Sequence, residues 1–229
     1  MNLSMQTMLQ LSILLPLLAT IGIVAIGQKP NLRESVTIGT SLVLLYFVFN
    51  LYQGLQQGES IHVIWGELLP GLKISFSIEP LGMLFALVAS FLWLITTIYA
   101  IGYMRAHNEE NQTRFYTCFA IAISSVTGIA FADNLFTLFI FYEVLTLSTY
   151  PLVTHAGTDK AKRGGRVYLG ILLSTSIAFF LLAIIGTWFV AGTLDFKPGG
   201  VFDSDVDKLV AGTLLGLFVL GVGKAAMMP

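Results

Sequence analysis

Charge is scarce in this sequence. Asp, Glu, Lys and Arg make up 11% of it, against about a quarter in an ordinary soluble domain. That excludes a globular protein with a conventional charged surface. The formal net charge of −1 excludes the basic footprint of a nucleic-acid binder. There is one cysteine, Cys118, inside an apolar run. It supports neither a disulfide framework nor a thiolate metal site, and reads as a small packing residue. No histidine pair sits at haem-ligating positions within an apolar run. No phosphate loop, metal-ligand spacing or nucleophile constellation is present, so neither a metal nor a cofactor is expected. No basic segment precedes the first apolar run, so a cleaved signal peptide is not expected either.

What the sequence has instead is apolar length. It is 55% hydrophobic, with a mean hydropathy of +0.81, which reads as an all-α polytopic membrane protein. Seven runs approach the roughly 20 residues that a helix needs to cross a ~30 Å hydrocarbon core. They are Leu9–Ile26, Val36–Leu55, Pro80–Tyr103, Phe115–Phe131, Asn134–His155, Val167–Val190 and Leu209–Pro229. The whole chain, residues 1–229, reads as a single transmembrane domain. The turn at Asp133 and Asn134 is so short that the fourth and fifth runs should be antiparallel neighbours. Pro229 ends the chain in apolar sequence with no polar tail, which is the expectation for a fragment of a longer protein.

The segment Ile61–Glu79 breaks the pattern. Lys73, Ser75 and Ser77 alternate with Ile74, Phe76 and Ile78, and Pro70-Gly71 supplies a turn after the β-prone stretch Ile61–Trp65. Both a small surface β-hairpin and an irregular loop fit. Orientation follows from cationic residues between runs. Lys29, Arg33, Arg105, Arg114, Lys160, Lys162, Arg163 and Arg166 lie after odd-numbered runs, and Lys73, Lys197 and Lys208 after even-numbered ones. The bias places the N-terminus outside and the Gly157–Arg166 loop in the cytoplasm.

Two ionisable residues fall inside apolar runs, Glu143 and Lys224. Burying charge in a membrane is costly, and such residues usually face a bundle interior or a hydrated path with a partner. Desolvation raises a carboxyl pKa and a nearby cation lowers it, so an acid held between the two can exchange a proton when its partner moves. The alternatives are a permanently protonated Glu143 that only bonds a neighbouring helix, and a Lys224 that snorkels to the surface. On a helix Thr146 shares the face of Glu143. Pro151 removes a backbone bond and should kink the fifth run. His155 ends that run and exchanges protons near neutrality, or simply caps it. Gly212 and Gly216 form a small-xxx-small face, and Gly221 and Gly223 should loosen the helix before Lys224. His62 and His107 receive no role. The Lys160–Arg166 cluster reads as a topology determinant, and Asp195, Asp203, Asp205 and Asp207 as a solvated face.

Three stretches carry a resemblance: Asp133–Glu143 (DNLFTLFIFYE), Gly221–Pro229 (GVGKAAMMP) and Glu79–Phe85 (EPLGMLF). They are similar to the antiporter-like membrane subunits of Mrp-type multisubunit cation/proton antiporters, respiratory complex I and membrane-bound hydrogenases. The D-type Mrp subunits are nearest, and the M-type subunits of complex I second. The resemblance implies that Glu143 and Lys224 are an interacting pair in a proton-conducting half-channel. It implies a bacterial inner membrane, further membrane subunits as partners, and protons with Na+ or K+ as cargo. It also implies about fourteen spans in two inverted repeats, of which this sequence covers the first. A structural subunit without transport of its own remains a competing reading. A quinone- or haem-binding redox anchor is disfavoured by the missing histidines.

The charge bias yields a direct test. A phosphatase fused after Gly58 should be active and one fused after Thr158 inactive; the opposite pattern refutes the orientation.

Overall fold

The computed structural model describes residues 3–69, 71–202 and 205–223. Lys224 and the rest of 224–229, together with Pro70 and Asp203, lie outside the described residues. A helix lies on each predicted apolar run: α1 (Met5–Ala25), α2 (Pro30–Gln56), α3 (Pro80–Ala106), α4 (Gln112–Ala130), α5 (Leu135–Val153), α6 (Asp159–Ala191) and α7 (Lys208–Val222). Five of them, α1, α2, α3, α5 and α6, are long and apolar enough to cross a membrane. The described part of α7 has 15 residues. Helix α4 is long enough but more polar, and its position accounts for that. It packs against α1, α2, α3 and α5 at the centre of the bundle, so its buried hydroxyls face protein rather than lipid.

Polarity runs inside out. The outward face of α3 presents Leu81, Leu84, Phe85, Val88, Phe91, Leu92, Ile95 and Ile98, all exposed. Ser12, Thr37, Ser41, Ser90, Thr97, Ser124, Ser125 and Thr127 are buried within the bundle. Most of these hydroxyls donate to a carbonyl one turn back, as Thr37 does to Arg33 at 3.1 Å. Ser124 instead crosses to the Ile13 carbonyl of α1 at 2.6 Å. Close approach needs glycine at two crossings. A Cβ on Gly82 would overlap the Ala130 carbonyl oxygen, and one on Gly128 would overlap the Phe141 ring.

The Ile61–Glu79 segment is a hairpin. Strand β1 (His62–Leu69) pairs antiparallel with β2 (Leu72–Ser77), from His62 opposite Ser77 to Leu69 opposite Leu72. The register slips between Ile64 and Gly66 and again between Glu67 and Leu69. Gly71, at φ +85°, turns the chain. The hairpin lies on one end of the bundle. Phe76, fully buried, packs against Trp65 and Phe141 with centroids 4.6 and 5.6 Å away.

Opposite this hairpin end lies an arginine end, and here two sequence readings are corrected. Arg33, expected as a loop charge, is in the first turn of α2 and 4% exposed. Pro30 starts α2 six residues earlier than the predicted Val36, because its fixed φ suits the first helical position. The charge of Arg33 is met by Glu34, also 4% exposed, at 3.6 Å, and by Gln112 and Thr113 of α4 at 2.7 and 3.1 Å. Arg105 of α3 closes a bidentate pair on the same carboxylate. The Gly157–Arg166 loop is mostly helix. Thr158 caps α6 by accepting from the Ala161 amide, and Asp159 sits in the first turn, so the basic cluster rides on a helix.

Asn134 joins the hairpin to the bundle. It is 2% exposed and caps α5 by accepting from Thr137 N–H at 2.8 Å. Its amide donates to the Lys73 carbonyl at 3.0 Å and to Ser75 Oγ at 2.8 Å. Asn134→Ala removes a cap and leaves buried groups unpaired, so it should cost about 2–4 kcal/mol. A thermal melt in detergent unchanged by this substitution would contradict that account.

Candidate functional site

The candidate site grows from α5. Asn134 fixes its start, and Glu143 follows nine residues later, about 13 Å along the axis at 1.5 Å per residue. Glu143 is partly buried. Thr146, one turn on, is buried and donates to the Tyr142 carbonyl at 2.9 Å. Pro151 lies within the helix, which continues past it to Val153. His155 stands just beyond, at the arginine end, with Nε2 3.8 Å from Glu109 Oε2.

Tyr142 connects this acid to α7. Its hydroxyl donates to the Val222 carbonyl at 3.2 Å, two residues before Lys224 in the chain. Lys224, and with it the predicted Glu143–Lys224 approach, lies outside the described residues. Helix α7 does not lie mainly on α5. It packs principally on α6, and its link to α5 runs through Tyr142 and one ring.

That ring is Phe180, which the sequence reading misses. Helix α6 contains a π-helical segment, Ser176–Leu181. Such wide turns insert one extra residue and recur at functional sites. Phe180 is 1% exposed. Edge-on contacts join it to Phe139 and Tyr142 of α5, both 5.7 Å away, and to Phe218 of α7 at 6.0 Å. The available signal is the hydroxyl cluster Ser174-Thr175-Ser176. Thr175 donates to the Ile171 and Leu172 carbonyls at 2.9 and 3.0 Å, and Ser176 to those of Leu172 and Leu173 at 3.0 and 3.2 Å. These hydroxyls fold back onto the turn that immediately precedes the wide segment, where the Ser176 N–H also still donates to the Leu172 and Leu173 carbonyls.

The glycines of α7 also reverse their expected roles. Gly212 and Gly216 face open space among the described residues, with nothing within 4 Å of an added Cβ. Gly221, expected to loosen the helix, instead seats it: a Cβ there would overlap the Phe180 backbone nitrogen. His62, given no role, has Nε2 2.8 Å from Asp133 Oδ2, which also accepts from Ser75 at 3.2 Å. His107 stacks on Tyr103 at 4.3 Å. Asp207 caps α7 by accepting from Leu209 N–H at 2.7 Å.

Comparison with known proteins falls on these same elements. Residues 132–229 match the family described as NADH:quinone oxidoreductase/Mrp antiporter, TM. Residues 70–116 match that described as NADH-Ubiquinone oxidoreductase (complex I), chain 5 N-terminus. The N subunit of the NADH-quinone oxidoreductase of Desulforudis audaxviator is 29% identical over 203 residues, covering 87% of this chain and 40% of that protein. The D subunit of the Na(+)/H(+) antiporter of Alkalihalophilus pseudofirmus is 24% identical, covering 96% of this chain and 45% of the relative. In fold, a chain of the membrane-bound sulfane sulfur reductase, an archaeal respiratory membrane complex, superposes with a TM-score of 0.81 at 21% identity, over 95% of this chain and 44% of that one. This chain thus spans less than half the length of each of these proteins.

The two kinds of glycine in α7 should separate by mutation. Gly221→Ala must push α7 off Phe180 and should cost about 1–3 kcal/mol. Gly216→Ala meets open space and should be neutral or stabilising by up to about 1 kcal/mol. Equal melting temperatures for the two variants would refute the assigned seat.

Proposed function

Because this chain belongs to the family of antiporter-like, multi-pass membrane subunits shared by Mrp antiporters and complex I, we propose that it conducts protons as one subunit of a monovalent cation/proton antiporter. Glu143 and Lys224 are its charge pair, and the exchanged ion is Na+ or K+. The observation that carries this reading is the Tyr142–Val222 hydrogen bond. It ties the residue next to the acid to the backbone two residues before the lysine. An acid whose neighbour is anchored to the lysine-bearing segment responds when that segment shifts, because a cation that approaches or withdraws changes the carboxyl's affinity for its proton. The glycine-seated end of α7 and the π turn beneath it are local irregularities of the kind that recur at functional sites.

In this reading the seven helices form the first of two inverted repeats. The arginine end faces the cytoplasm of a bacterial inner membrane, and other membrane subunits complete the assembly. A second reading draws on the match of residues 70–116 to complex I: the same pair would then serve a redox-driven pump, as in complex I or a membrane-bound hydrogenase.

The test uses membrane vesicles that hold the assembled complex. Glu143→Gln preserves volume and hydrogen bonding but removes titration, so exchange should be abolished. Glu143→Asp retracts the acid by one methylene and should retain partial exchange. Lys224→Ala should uncouple. Wild-type exchange with normal assembly in Glu143→Gln would sink the carrier role and leave Glu143 a structural residue.

A further inference from the structure

A second titratable cluster lies at the arginine end. A cavity of about 210 Å³ there is lined by His107, Glu109, Glu110 and His155, with Asn108 and Asn111 between them. The His155 side chain is 15% exposed, but both ring nitrogens are covered and neither has a hydrogen-bond partner among the described residues. Glu109 Oε2, at 3.8 Å from Nε2, is too far for a neutral hydrogen bond. It is close enough to pair with the ring as a cation. Phe115 meets the imidazole edge-on at 5.6 Å. Arg114 of α4 donates to the His155 backbone carbonyl at 3.4 Å, so its charge is directed to the main chain. The charged and titratable groups around the ring are therefore His107, Glu109, Glu110 and Arg114. On α6, Lys160, Lys162, Arg163 and Arg166 are exposed to solvent.

From this cavity a stripe of hydroxyls leads back to Glu143. Thr154, Tyr150, Thr146 and Glu143 follow one another at spacings of four, four and three residues, which is one helix face. Thr146 and Thr154 are buried. Thr154 donates to the Tyr150 carbonyl at 3.0 Å. Both residues lie against α6, where a Cβ on Gly165 would overlap Thr154 and come 3.2 Å from Tyr150. Pro151 has no N–H to offer the Leu147 carbonyl, which leaves an acceptor midway. The path from His155 to Glu143 covers about 18 Å of helix rise.

We propose that His155, with Glu109 as its counter-charge, is the group through which protons enter the α5–α6 seam towards Glu143. This rests on the reading of Glu143 as a proton carrier. A proton from water in the cavity is taken up by the partly exposed Glu109 carboxylate and passed to the unprotonated Nε2, which gives the imidazolium paired with the restored carboxylate. Loss of the proton from the other nitrogen into the hydroxyl stripe restores the neutral ring as its second tautomer. A ring flip or internal exchange resets it. The occupant of this site is the proton alone.

The experiment compares His155→Ala, Glu109→Gln and Glu143→Gln in inverted vesicles that hold the assembled complex, with and without millimolar imidazole outside. His155→Ala should slow exchange at least about tenfold, and imidazole should restore most of it, because a diffusible buffer can replace a surface relay. Glu109→Gln should displace the pH profile of exchange. Glu143→Gln should stay inactive with imidazole, which cannot reach the interior acid. Wild-type speed in His155→Ala, or slowing at normal complex levels that imidazole does not relieve, overturns the entrance. Should His155→Ala fail to assemble, Glu109→Gln decides, and an unchanged pH profile overturns it. Normal exchange in Glu143→Gln marks failure of the carrier reading itself, a different result from any of these.

Discussion

A polar group held in hydrocarbon without a partner costs several kcal/mol, and the architecture follows from that penalty. Most buried hydroxyls of the first four helices turn back on their own helix or reach a neighbour, as Ser124 reaches Ile13. The same penalty places Arg33 and Glu34 side by side at the arginine end, with Arg105, Gln112 and Thr113 gathered around them. Two connections thereby meet in one network: α1–α2, and α3–α4 through the end of α3 and the start of α4. Removing one member of such a buried set leaves an uncompensated charge, usually worth about 3–5 kcal/mol. The network is costly to assemble and costlier to break.

Helix α5 divides the labour. Its first half is held by polar contacts to the hairpin and by the Phe141 ring lying on Gly128. Its other side meets α6, and through Phe180 and Tyr142 it reaches α7. Two apolar cores result among the described residues. The larger joins α1 to α4 and the hairpin, and the smaller centres on Phe180, Ile184 and Leu194. Glu143 belongs to the helix between them, where the packed body and the α6–α7 pair meet.

How legible this is in the sequence depends on scale. Long apolar runs leave a helix few alternatives, and each run carries one. The period-two pattern of Lys73–Ile78 reads as a strand, but its pairing depends on Ile61–Leu69 accepting two register slips, which no local pattern encodes. Boundaries blur where polar residues continue a helix beyond its apolar part, at Arg33 and at Lys160. Charge there reads as loop until its partners are known. The acid in α5 is conspicuous because apolar sequence surrounds it. Phe180 is invisible because a phenylalanine among apolar neighbours carries no mark, and its role comes from a backbone irregularity. His62 gives no signal because its partner, Asp133, lies 71 residues away.

The π turn also makes α6 a helix with two azimuths. One surplus residue rotates everything after it by about 100° relative to an uninterrupted α-helix. Before the turn, Gly165 addresses α5; after it, Gly186 addresses Leu214 of α7, which an added Cβ would overlap. A straight helix of this sequence could satisfy one of these neighbours at a time, so the surplus residue acts as a phase shifter. Were the wide turn to migrate along α6, the stretch it crossed would swing by that same angle while both ends kept their seats. Such a migration would re-aim side chains in the middle of the helix without moving its termini.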